Sequence, residues 1–482
     1  MTTTIENYEG SRLFAGLSKK TGVPIDQVNF FMTQLVALLL ASVYRKFLRP
    51  SDTGTVIRHL YGLIVGFSLI YFCYGVQTLH LLSLSAAGYV ILITQRPQVL
   101  HVWVFAVSMT YLSVMHVYRM YANYGGTRID ISGPLMVLVQ KLTSLAFSVH
   151  DGYTKTEEAM TETQKKLAIT AIPSPLEYFS YVLLFPSVMA GPIIYYNDYM
   201  GFIEGSDGSS NYSPSKIVLK KVLIACSCCA IFVICNPFFP IAKLKTEWFL
   251  ESTTISYKFF YLSICTMLAR FKYYFAWIIA DAICNNSGIG FNGLNSETRQ
   301  AKWDKVSNID IYGFEFATSL KDAITAWNKG TNVWLRFIVY ERVEKNQVLL
   351  TYGLSAVWHG FHPGYYMTFF GGAIFTQASR IIRKNVRSYF VTNVEMKKMY
   401  DIMTFLVTRF MMAYVTFPFI LLEFWASAAI YNKLYWHLHI AALFVIILVP
   451  NCLPRTLAAN PVKNEDNVKL VKALRSGSYR ID

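Results

Sequence analysis

Apolar runs recur almost end to end in this chain of 482 residues, and no other feature restricts its fold as strongly. They lie near Val28–Tyr44, Leu60–Gly75, Leu79–Thr94, Val99–Met120, Leu135–Phe147, Tyr178–Tyr195, Ile217–Pro240, Phe259–Ile283, Val348–Gly372, Ile402–Trp425 and Ala428–Val449. A helix needs about 20 apolar residues to cross a bilayer. In lipid the backbone must satisfy its own polar groups, so helices are the default. The expected fold class is all-α, a polytopic membrane helical bundle of roughly ten transmembrane helices plus interfacial helices. Leu135–Phe147 is short for a span and is expected to be half-inserted or buried in protein.

Composition points the same way. Hydrophobic residues make up 54% and charged residues 15%, against about 25% charged in a soluble protein. So few charges cannot clothe several soluble domains, and a disordered chain, a coiled coil and a disulfide-stapled scaffold are excluded. The net charge of +15 fits basic cytoplasmic loops. It also suits an anionic lipid surface or a phosphorylated substrate, and no nucleic-acid partner is expected. Arg45, Lys46, Arg49 and Arg58 cluster between the first two runs, which places that loop in the cytoplasm. Polar residues open the chain up to Asp26, so the first run is expected to act as an uncleaved anchor. Residues 1–450 are expected to form the membrane body. Residues 451–482, with Arg455, Lys463, Lys469, Lys472, Arg475 and Arg480, are expected to form a basic cytosolic tail. Two hydrophilic stretches interrupt the body, Asp151–Pro175 and Asn285–Asn346, and long connections of this kind are often functional.

Several familiar motifs fail on context. The glycines of GIGFNG, Gly288 to Gly293, follow a membrane helix rather than a strand, so no dinucleotide site is expected. No Gly precedes a Lys, which removes a Walker A loop, and neither HExxH nor G-x-S-x-G occurs. No His is followed five positions later by Asp, the spacing of the other large group of glycerolipid acyltransferases. Cys226, Cys228 and Cys229 sit inside an apolar run and read as helix residues rather than zinc ligands. No metal is expected at His359 and His362 either, because no Asp, Glu or Cys lies close by.

The densest chemistry lies between Trp327 and Phe370. His359 stands inside a membrane-grade apolar run, where an ionisable residue is a functional candidate by default. Tyr352, Ser355 and Ala356 share its helix face. Gly360, Pro363 and Gly364 should break the helix just after it, and irregular backbone beside a buried base suggests a lined cavity. A core histidine bonded to a neighbouring helix is the competing reading. Asn328 and Asn332 fall one turn apart, with Trp327 and Trp334 on an adjoining face. They read either as an interfacial helix with aromatic anchors or as an amide aimed at developing charge. Arg270, Tyr274, Trp277 and Asp281 share another face, where an internal ion pair fits as well as substrate contact. The prolines of Phe185-Pro186-Ser187-Val-Met-Ala190-Gly191-Pro192 mean an interrupted helix. His150-Asp151-Gly152 reads as a helix end at the membrane interface.

Taken together, WNKGTNVWLRFIVYERV, LSAVWHGFHPGYYMTF, QKLTSLAFSVHDG, PSVMAGP and RFKYYFAWIIAD resemble the membrane-bound O-acyltransferase superfamily, in its lysophospholipid acyltransferase branch. The resemblance runs from about Pro24 to the end of the apolar body. SAVWHG followed by PGYY looks most like the group acylating lysophosphatidylethanolamine and lysophosphatidylserine. It implies a bundle around a catalytic tunnel, with His359 as catalytic base and Asn328 as its partner. It also implies acyl-coenzyme A (acyl-CoA) as co-substrate with no further cofactor, a lysophospholipid acceptor (lysophosphatidylcholine included), and an endoplasmic reticulum membrane. Trp327, Asn332, Trp334, Arg336, Ser355, Trp358, Tyr366, Arg270 and Tyr274 are the expected substrate contacts. Lys329, Arg336, Arg342 and Lys345 either meet the coenzyme's phosphates or are ordinary positive-inside charges. Acceptors such as a sterol, a diacylglycerol or a protein are the alternatives within the superfamily. A transporter would show half-to-half symmetry, and none is visible.

Overall fold

The computed structural model describes residues 8–122, 128–391 and 393–452. Among them the chain is helical, and the only bridge of β type joins Leu294 to Ala301. Six helical stretches are long and apolar enough to cross a membrane: Ile25–Phe47, Thr55–Thr94, Leu100–Ala122, Ser132–Thr154, Ser215–Lys245 and Val394–Leu421. A bent pair, Phe424–Lys433 and His437–Cys452 at 78°, makes up to seven. The all-α polytopic bundle is thus present, with fewer clean spans than apolar runs. Two runs merge into Thr55–Thr94, joined by a tight turn at Gly75–Gln77. The 33-residue helix Ile255–Ser287 carries Lys258, Arg270, Lys272 and Asp281, and Gln347–His359 has only 13 residues. The expected tail beyond Cys452 lies outside the described residues.

Ser132–Thr154 is the central pillar. Its apolar window is 83% buried, so Leu135–Phe147 is enclosed by protein rather than half-inserted. Its buried polar residues are tolerable because each named here finds a partner. The Gln140 amide donates to Thr331 Oγ1 at 2.8 Å, and Thr143 Oγ1 accepts from Trp334 Nε1 at 2.9 Å. Lys141, fully buried, donates to the Tyr181 carbonyl at 3.0 Å and to Ser187 Oγ at 2.9 Å. Those last two groups belong to the interrupted segment, which forms the helices Pro175–Val182 and Phe185–Val188. The pillar therefore holds the broken segment on one side, through Lys141, and the helix Lys329–Leu335 on another, through Gln140 and Thr143.

The positive cluster between the first two runs is reduced by one. Arg58 is not a loop charge: it is 2% exposed and donates to the carbonyls of Ile203 at 2.9 Å and Phe202 at 2.8 Å. These carbonyls end the helix Tyr196–Glu204, where a cation is favoured.

The buried side chains form two clusters. One gathers helices from Ile25–Phe47 through Gln347–His359, and the other gathers Glu247–Glu251, Pro363–Asn385 and the C-terminal helices. Trp327 packs against both, so the Trp-Asn motif lies at their seam.

The connection after the pillar docks onto the same region. Glu341, its side chain 7% exposed, accepts from Thr161 Oγ1 at 2.7 Å, Thr163 Oγ1 at 3.1 Å and Arg336 Nε at 2.6 Å. Burial alone would raise its carboxyl, but these donors hold it below the ordinary carboxylate value. A carboxyl depressed in the folded state stabilises fully above its unfolded pKa, and that stabilisation fades as pH falls through the lower folded value. Wild type should therefore melt above Glu341→Gln at pH 7. The gap should begin to narrow near the ordinary glutamate value of about 4.3 and close only at lower pH, as a thermal-melt series in detergent would read.

Candidate active site

The helix Gln347–His359 stops where its sequence changes from apolar to glycine. Gly360 has φ 117° and ψ −164°, a region open essentially to glycine alone. A Cβ there would also stand 3.2 Å from the His116 ring. His116 occupies that space for a reason: its Nε2 donates to the Trp358 carbonyl at 3.1 Å, one of those a helix end leaves without a partner. Gly360→Ala should cost about 1–3 kcal/mol of strain and displace the His359 end of the helix. A lower melting temperature together with reduced turnover is the expected reading, and an unchanged pair of values would refute it.

His359 is the last residue of this helix. Its Nδ1 lies 2.7 Å from the Ser355 carbonyl. A carbonyl can only accept, so Nδ1 carries the proton and Nε2 presents a lone pair. Among the described residues Nε2 has no hydrogen-bond partner. The residue is enclosed by its neighbours, yet part of its surface stays accessible. Phe369 at 4.9 Å, Phe419 at 5.3 Å and Tyr365 at 6.0 Å surround it, measured between ring centroids. These rings come from the second cluster's helices, while Trp358, next in the chain, belongs to the first. His359 therefore stands between rings of the second cluster's helices and Trp358 of the first.

The Trp-Asn motif is a turn, not a helix face. The helix Leu320–Ala326 ends before Trp327, the next begins at Lys329, and Asn328 between them is left-handed with φ 45°. Asparagine tolerates this conformation better than most residues. The expectation that Asn332 shares a face with Asn328 fails for that reason. Asn332 Nδ2 turns back to the carbonyls of Ile324 at 2.7 Å and Trp327 at 2.8 Å, clamping the turn. The Trp327 indole packs among Trp277, Phe314, Tyr274 and Tyr273.

The other expected substrate contacts divide. Trp334, fully buried, and Trp358, 6% exposed, are core residues bonded to Thr143 Oγ1 and the Met136 carbonyl. Ser355 acts through its carbonyl on His359, and Tyr366 stacks on Phe361. Arg270 grips both oxygens of Glu315 at 2.9 Å, and Tyr274 donates to the same carboxylate at 2.6 Å. Arg409 joins them at 3.1 Å. Arg336 is spent on Glu341. Arg342 is spent on Asp151, reaching its two oxygens at 2.9 and 2.5 Å. Lys329 and Lys345 have no ion-pair partner among the described residues. No group of His, Cys, Asp and Glu there could hold a metal ion. Sequence reasoning missed His116, Asn308 and Glu315. It also undervalued Asp151, whose carboxylate at the end of an apolar run was the available signal.

Residues 117–422 match the family model described as membrane-bound O-acyltransferase family. The chain belongs to that family. The matched stretch contains His359, Asn328, Asp151, Arg342 and Glu315. The chain is 43% identical to lysophospholipid acyltransferase 6 of Drosophila melanogaster, over 97% of this chain and 67% of that protein. It is 38% identical to human membrane-bound glycerophospholipid O-acyltransferase 1, over 92% of each. A lysophospholipid acyltransferase of Schizosaccharomyces pombe is 32% identical over 95% of this chain and 93% of its own length. The protein is thus a multi-pass membrane acyltransferase.

Proposed function

We propose that this enzyme remodels phospholipids by moving a fatty acyl group from acyl-CoA to the free hydroxyl of a lysophospholipid. The acceptor is lysophosphatidylethanolamine, lysophosphatidylserine or lysophosphatidylcholine, and the site of action is the endoplasmic reticulum membrane. The observation that supports the chemistry is the orientation of His359, whose Nδ1 proton is held by the Ser355 carbonyl and whose Nε2 is left with its lone pair. The names of the fly, human and yeast relatives support the acceptor class.

A hydroxyl is a poor nucleophile at neutral pH. As its oxygen attacks the thioester carbonyl carbon, His359 Nε2 takes its proton, a service worth about 10²–10⁴-fold. The carbonyl oxygen becomes an oxyanion, and the Asn328 amide N–H donates to it; one such donor is worth about 10²–10³-fold. The intermediate collapses, the C–S bond breaks, and the imidazolium returns its proton to the departing thiolate. No enzyme nucleophile takes part. Arg270, Arg409 and Glu315 together carry one net positive charge beside Trp327, which suits a phosphate-bearing headgroup. Lys329 and Lys345 serve the coenzyme's phosphates. Residues 1–450 act as one catalytic body.

Purified enzyme offered a panel of lysolipids with several acyl-CoA species should release thiol in step with diacyl product, as mass spectrometry of the lipids would record. Acylation confined to a sterol, a diacylglycerol or a peptide would refute the acceptor. Absence of thiol release would refute the donor.

A further inference from the structure

Asn328 is useful to an oxyanion only if its amide presents N–H rather than C=O, and rotating the group by half a turn exchanges the two. The structure contains a chain of hydrogen bonds that sets this choice. It starts at a group whose role is fixed: the backbone N–H of Gly330 can only donate. Its acceptor, at 3.0 Å, is the side chain of Asn308, which must therefore place Oδ1 there. The other end of the Asn308 amide is then NH2, and it lies 3.0 Å from the Asn328 side chain. An NH2 can only donate, so the Asn328 atom facing it is Oδ1. The Asn328 NH2 is left pointing away from Asn308, with no hydrogen-bond partner among the described residues.

Asn308 is well placed for this. It is 6% exposed, and its own carbonyl accepts from Lys329 N at 2.8 Å, so backbone and side chain both grip the turn that follows Asn328. Asn332 fixes the preceding carbonyl from the other side. We infer that Asn308 is a positioning residue of acyl transfer: it orients the Asn328 amide so that its N–H, not its oxygen, faces the reacting carbonyl. This rests on the proposed role of Asn328 and goes beyond it by naming what sets that role.

The inference reverses the usual ranking of two substitutions. In Asn308→Asp one oxygen still accepts from Gly330, and the shape is kept. The other position now accepts instead of donating, so the Asn328 amide turns over and aims its oxygen at the developing oxyanion. Turnover should fall about 10²–10³-fold, as for loss of an oxyanion donor, with the KM of both substrates close to wild type; the melting temperature falls as well, because a carboxylate then stands in a buried place. In Asn308→Ala nothing dictates the orientation, the amide samples both, and the loss should stay within about tenfold. A residue that served packing alone would show the opposite order, with the isosteric Asp milder than Ala.

The experiment measures kcat, both KM values and melting for Asn308→Asp, Asn308→Ala, Asn328→Ala and the double variant Asn308→Asp/Asn328→Ala. Expected are an Asp loss larger than the Ala loss, and a double variant no slower than Asn328→Ala. An Asp variant as active as the Ala variant, or losses that multiply in the double variant, would overturn the inference. If Asn308→Ala does not accumulate, the double-variant comparison decides alone. Full activity in Asn328→Ala would instead sink the proposed role of Asn328 and, with it, this inference. Impaired Asn328→Ala beside a mild Asn308→Asp would sink the positioning role only.

Discussion

His359→Ala is expected to lower turnover by about 10²–10⁴-fold, the contribution of a general base to proton removal from an alcohol. The protein should still insert and melt cooperatively. The ring's hydrogen bond goes to the Ser355 carbonyl of its own helix, and it packs against the rings of Trp358, Phe369, Phe419 and Tyr365. Losing it therefore breaks no bond between distant segments. The diagnostic measurement is acyl transfer from labelled acyl-CoA to lysophospholipid at saturating concentrations of both, read beside a melt of the same preparation. Turnover at the wild-type rate would remove the base assignment. Collapse of the melt with loss of activity would recast His359 as a core residue.

Asp151→Ala should show the largest effect on stability. The Asp151 side chain has no exposed surface, and it holds Arg342 through two short bonds and Lys155 at 3.0 Å. Removing one partner of a buried pair costs about 3–5 kcal/mol, because the other is left charged and unpaired. Arg342 also spreads over the rings of Phe147 and Phe337, so its displacement would loosen the approach to Gln347–His359. The melting temperature should drop sharply, and Arg342→Met in the same chain should restore most of it by removing the stranded charge. A melt unchanged in Asp151→Ala, or no recovery in the double variant, would show that the pair does not tie the pillar to this segment.

His359 stood out in the sequence because a titratable ring in an apolar run is costly wherever the chain goes. Asn328 stood out through its motif, but its surroundings did not. Helical spacing pointed to Asn332 as its companion, and the helix begins one residue too late for that. The residue that touches it is Asn308, 20 positions upstream and in no motif. Arg342 read as a loop charge or a phosphate ligand because Asp151, 191 residues away, was invisible to any local pattern. Arg58 read as a cytoplasmic charge because nothing near it announces the helix end it caps. Trp334 and Trp358 read as substrate contacts because aromatic residues beside the Trp-Asn and Trp-His motifs suit either role, and packing assigns them to the core.

Helix content, membrane residence and the proposed base follow from the chain's own order of residues, because apolar length, glycine placement and the cost of an ionisable group act over a few turns. Which donor meets which acceptor does not. The Asn328 amide's direction, the Asp151–Arg342 pair and the seam between the two clusters all depend on segments brought together across the bundle, and a hydrogen bond of 3 Å leaves no trace in the spacing of residues tens or hundreds of positions apart.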